Sequence, residues 1–128
     1  MFPRLLQIAL INLSLGLSAM ADTRVCSYVA RLSERDHSAS DGFRLKDAAS
    51  IIRQDRANFH KFSRRDEEDE TDSFFASVRN REDLENMVKR RQLPSAVSAA
   101  IVRGTPLVEV EVLQSDAGYR YIRVTLLQ

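Results

Sequence analysis

Polar and apolar residues alternate most cleanly near the C-terminus of this chain. Leu107 to Leu113 reads LVEVEVL, with Val108, Val110 and Val112 on one side and Glu109 and Glu111 on the other. A period of two is that of a strand buried on one face. Tyr119 to Leu127, YRYIRVTLL, repeats the pattern, with Ile122, Val124 and Leu126 set against Tyr119, Tyr121, Arg123 and Thr125. Ser115-Asp116-Ala117-Gly118 between them has turn chemistry, so the two runs predict a hairpin. Glu109 or Glu111 is expected opposite Arg123 on its wet face. A third strand is predicted over Thr23–Leu32, TRVCSYVARL, with Cys26, Tyr28, Ala30 and Leu32 inward.

Between the first strand and the hairpin the period lengthens to that of a helix. Leu45, Ala48, Ile52 and Phe59 share one face of Phe43–Phe62, which predicts an amphipathic helix with Asp41 as its cap. Asn80–Gln92 buries Leu84, Met87 and Val88. Asn80 stands where a cap belongs, and Lys89, Arg90 and Arg91 load the last turn, as the helix dipole favours. Ser95–Arg103 predicts a short helix opened by Pro94, burying Val97, Ala100 and Ile101, and stopped by Gly104 at its C′ position and Pro106. The order is β-α-α-α-β-β. The fold class is α+β: a small three-stranded, mostly antiparallel sheet with about three helices on one face.

Two stretches carry no periodicity. Ser33–Gly42, SERDHSASDG, is expected to be a solvent-facing loop. Residues 63–72, SRRDEEDETD, hold two arginines and then six acids in seven positions. They predict an acidic connector, either disordered, solvent-facing or the polar end of a helix. Phe74 and Phe75 follow directly, and two adjacent side chains cannot point the same way, so at least one should plug an edge of the core.

The N-terminus has a different pattern again. Arg4 precedes a short apolar core, and Ala19 and Ala21 end it with the small-x-small spacing of a cleavage site. Residues 1–21 therefore read as a cleaved secretory signal peptide, and 22–128 as one small α+β domain that is periplasmic or secreted after cleavage near Ala21. The apolar core falls short of the ~20 residues of a membrane span. Thr23, Arg24 and Val25 before Cys26 do not fit a lipid-attachment site, so no stable membrane insertion of the mature chain is expected. A single cysteine excludes an internal disulfide and leans the address toward a bacterial periplasm.

Charge narrows the partner classes. Arg4 is the only one of 19 basic residues inside the signal, which leaves 18 against 18 acids. No global field draws the domain to nucleic acid or an anionic membrane, and no basic stripe is evident. Four glycines provide neither a phosphate-cradling loop nor a dinucleotide fingerprint, and no cofactor is expected. Two histidines and one cysteine, without C-x-x-C or H-E-x-x-H spacing, give no metal site. The acidic run lacks the glycine and the alternating ligands of a Ca²⁺ loop.

The candidate residues are few. Asp55, Arg56 and His60 line the margin of the long helix, and Tyr119 and Tyr121 stand on a strand face, together a candidate binding patch. The plain alternative for Asp55 and Arg56 is that they tie the helix to a neighbouring loop. Asp36, His37 and Asp41 place acid and imidazole beside hydroxyls in the 33–42 loop, but without a nucleophile-elbow pattern. The leading reading is a non-enzymatic exported binding or accessory protein whose partner is another envelope or secreted protein. One rival is a small exported hydrolase or effector with His37 or His60 as base. That reading needs a histidine in a concave pocket beside an Asp carboxylate and a hydroxyl. The other is a structural subunit that oligomerises through its C-terminal hairpin, which calls for an apolar exposed strand edge.

Overall fold

β1 (Thr23–Arg31), β2 (Leu107–Gln114) and β3 (Arg120–Leu126) form one antiparallel sheet in the order β1-β2-β3. The computed structural model describes residues 22–128, and the expected signal segment lies outside them. Three helices, α1 (Ala48–His60), α2 (Val78–Arg90) and α3 (Ser95–Arg103), intervene between β1 and β2. The α+β class and the element order are those the periodicity predicts.

Register explains the two faces of the sheet. Tyr28 pairs with Val110 and Val110 with Val124, so three core side chains align across the strands. Ala30 and Val108 form the next rung, and Cys26, Val112 and Ile122 the one beyond it. All but Cys26 are buried. The opposite face is polar: Ser27, Glu111 and Arg123 align there, and Arg123 donates to Glu111 through Nε (3.0 Å) and Nη2 (3.2 Å). A bulge between Arg24 and Cys26 shifts the register near the start of β1.

The helices close the apolar side through Ile51, Ile52, Leu84, Met87, Val88 and Ile101. Phe75 is the plug that the paired phenylalanines predict. It is fully buried, edge-on to Tyr28 at 5.8 Å between ring centroids, with Phe74 packed on it from outside. Full burial of such a ring stabilises by about 1.5–3 kcal/mol.

Helix boundaries depart from expectation where local hydrogen bonds win over periodicity. α1 starts at Ala48, not Phe43, because residues 43–45 are engaged elsewhere. Ala39 N–H donates to Phe43 O, and Leu45 N–H donates to His37 O, both at 2.8 Å. Asp41 sits in that turn, before Gly42 at φ +92°, and Asp47 caps the helix instead by accepting from Ser50 N–H at 2.9 Å. α2 begins earlier than predicted. The Ser77 hydroxyl is its cap, and Asn80 lies inside the first turn with its amide on Phe74 O at 2.8 Å. Gly104 ends α3 in an extended conformation (φ −131°) and not in the left-handed C′ geometry.

Candidate functional site

The marginal pair on α1 turns out to be core. Arg56 is fully buried and Asp55 is 1% exposed. The Arg56 guanidinium lies between two aromatic faces, 3.8 Å from the Tyr28 centroid and 4.5 Å from that of Phe59. Its Nε donates to Asp55 (2.8 Å), and its Nη1 donates to Asp72 Oδ1 (2.8 Å) and Glu70 O (3.1 Å). Arg56 therefore ties α1 to the segment before Phe75. Burial alone would lower the Arg56 pKa, but Asp55, Tyr28 and Asp72 outweigh it and hold the charge in place. Burial likewise would raise Asp72, and the Phe75 amide, His60 and Arg56 overcome it to keep that carboxylate low. Asp55 itself is raised, chiefly by burial.

Both ring nitrogens of His37, and Nε2 of His60, are engaged by structural partners. His60 Nε2 lies 2.9 Å from Asp72 Oδ1, the oxygen that Arg56 also bonds, so the ring completes a structural cluster. His37 is fully buried inside a 3-10 turn over Glu34–His37. Its Nδ1 and Nε2 face the carbonyls of Ser33 and Ile101, each at 2.7 Å, which docks the turn on α3. Asp36 is 1% exposed beside it, accepting from Ser33 N–H (3.0 Å) and the Asn58 amide (2.8 Å). The solvent-facing reading of 33–42 is thus corrected for Asp36 and His37. Their polar atoms point inward because α1 and α3 supply the partners, while Asp41 stays outside. Among the described residues no hydroxyl bonds either ring. The Cys26 thiol is pushed up to about 11 by burial and by Asp72, so it stays protonated and a poor nucleophile.

The acidic run is mostly exposed, and two of its residues also cover part of one edge of the sheet. Glu70 N–H donates to Val29 O (2.8 Å), and its carboxylate accepts from Val29 N–H (2.8 Å). Asp69 accepts from Arg31 N–H at 2.9 Å. These contacts satisfy β1 where an edge strand would offer bare backbone to another chain. Replacing Asp69 and Glu70 together by alanine should cost about 1–2 kcal/mol, since both amides lose their partner. It should also promote self-association at high concentration. Urea unfolding and sedimentation velocity check this, and an unchanged profile in both would remove the edge-cover role.

β3 is treated differently. It is the other edge of the sheet, and no backbone hydrogen bond from the described loops or side chains reaches its outer side between Arg120 and Leu126. A groove of about 710 Å³ runs along it, bounded by Leu93, Pro94 and Val97 from the α2–α3 junction and by every residue from Tyr121 to Leu126. At the hairpin-turn end a second hollow of about 340 Å³ adjoins it through Arg91 and Tyr121, with Arg90, Arg120, Tyr119 and Asp22 around it. Arg91 lies over the Tyr121 ring at 4.2 Å, and the Tyr121 hydroxyl donates to Asp22. Tyr119 is 77% exposed.

No protein-family model, curated protein or solved structure matches this chain. The assignment of a site therefore rests on geometry. That geometry divides the five-residue patch: Asp55, Arg56 and His60 form the buried cluster under the helices, whereas Tyr119 and Tyr121 border the open groove. Residues not singled out in the sequence complete each half. Asp72 is the acceptor that joins Arg56 to His60. Its legible signal was an acid three residues before Phe75, whose N–H it accepts at 2.6 Å. Arg90 and Arg91 looked like helix-dipole charges alone. Their approach to β3 is tertiary and left no sequence signal.

Proposed function

We propose that this chain is an exported, non-enzymatic binding module that takes an extended segment of another envelope or secreted protein along the free edge of β3. The signal-like pattern of residues 1–21 supports export. One observation carries the binding reading: the two edges of the sheet are handled in opposite ways. β1 is covered at Val29 and Arg31 by Glu70 and Asp69, while β3 is left unpaired beside a groove floored by Leu93, Pro94 and Val97. Strand addition uses such an edge for main-chain bonds and the adjoining hollows for alternate side chains. Pairing with a second copy is less favoured, because a full-register antiparallel match of β3 with itself sets Arg123 opposite Arg123.

Hydrogen exchange tests the reading. An eight-residue peptide alternating valine with threonine should slow exchange of β3 amides, and Val97→Arg, which fills the groove from half-buried α3, should abolish the effect. Unaltered β3 exchange at millimolar peptide sinks the proposal.

A further inference from the structure

We infer that the hairpin-turn end of the groove is an anion pocket, and that the partner segment carries acidic residues at the end it lays there. The inference rests on the strand-addition reading above and adds the chemistry of the occupant. Three guanidinium groups, Arg90, Arg91 and Arg120, line the hollow against one carboxylate, Asp22. Asp22 is already engaged by the Tyr121 hydroxyl. Arg120 donates to the neutral Gln114 side chain at 3.2 Å, and neither Arg90 nor Arg91 has an ion-pair partner among the described residues. Arg123, further along the strand, is different: Glu111 neutralises it.

Dipole complementarity accounts for basic residues at the end of α2 but not for where Arg91 goes. Its side chain lies over Tyr121 on β3, at the junction of the two hollows. Arg120 reaches the same hollow from the opposite side, at the first residue of β3. Two elements thus direct guanidinium groups without an ion-pair partner toward one end of a groove that Leu93, Pro94, Val97, Ile122 and Val124 line further along. Guanidinium groups recognise carboxylates by paired N–H donors, and Arg is the residue suited to this at interfaces. Cleavage near Ala21 would add the α-amino group of Asp22 at the same place. The rest of the occupant is set by Leu93, Pro94 and Val97, which call for alternate apolar side chains. An acidic, alternating, extended peptide fits both halves.

The test uses the valine–threonine peptide with two glutamates at either end, and matched peptides with glutamines. Affinity is measured by calorimetry at about 50 and 300 mM salt, with β3 amide exchange as the binding-site readout. A glutamate peptide should bind about tenfold more tightly at low salt, and the advantage should shrink as salt screens it. Arg91→Gln with Arg120→Gln should erase the advantage while leaving the glutamine peptide unchanged. Arg103→Gln, at the far end of α3, should change neither. Equal affinity of the glutamate and glutamine peptides, with β3 exchange still slowed, overturns the anion pocket and leaves strand addition standing. If no peptide slows β3 exchange, both readings fall together.

Discussion

Arg56→Ala is expected to remove about 3–5 kcal/mol of stability, the cost of leaving buried carboxylates without their counter-charge. Asp55 and Asp72 would both lose a donor, and the Glu70 carbonyl a third contact. Tyr28 and Phe59 would also lose the flat cation packed between them. Arg56→Lys provides the milder variant in case the alanine protein does not fold. It keeps the charge but cannot span Asp55, Asp72 and Glu70 with one planar fork, so a smaller loss is expected. Asp55→Asn should be better tolerated than either, because Asp72 still pairs with Arg56. Urea unfolding of the three variants checks the order. A loss below about 1 kcal/mol for Arg56→Ala would mean that the cluster is not what joins α1 to the 70–75 segment.

The second large effect is a pH dependence centred on Asp36. Burial, with Asp66 and Asp69 nearby, pushes this carboxyl from its ordinary 3.8 up to about 6, against the pull of the Asn58 amide and Ser33 N–H. The folded protein therefore holds the Asp36 proton more tightly than the unfolded chain does. Its stabilising contribution is complete below about pH 4 and is lost as pH rises through about 6. Asp55 acts in the same direction. Asp72 and Glu111, whose pKa values are lowered, act in the opposite one and lose their contribution on acidification. The variant Asp36→Asn isolates the first term. The stability of the native protein relative to this variant should fall by on the order of 2–3 kcal/mol between pH 4 and pH 7. A difference that stays constant across that range would contradict the proton count.

Elements that rest on short-range periodicity were legible in the sequence, and those that rest on distant partners were not. The valines of β2 and the alternation in β3 gave the hairpin, and the Glu111–Arg123 pair followed from register. The stripe of Leu84, Met87 and Val88 gave α2. The fate of polar residues was harder to read, because the same sequence pattern serves a wet surface or a satisfied interior. His37 looks like a loop residue until α3 brings the Ile101 carbonyl to it. Arg56 looks like a helix margin until Tyr28 and Phe59 enclose it. Six acids in seven positions imply solvation, yet Asp69 and Glu70 spend their oxygens on β1 amides and Asp72 on Arg56, His60 and Phe75. For the candidate site, the tyrosines at 119 and 121 were visible, but the groove beside them is a product of how the α2–α3 junction meets β3.

The position of β2 at the centre of the sheet has a consequence for when this chain can fold. The nearest rung between β1 and β2 sets Arg31 opposite Leu107, a separation of 76 residues. Contacts so distant along the chain close slowly, because loop entropy must be overcome before they reward it. Among the described strands β1 is the first to be synthesised, and its strand partner β2 follows only after the three helices. No part of the sheet can assemble around β1 until the hairpin has been made.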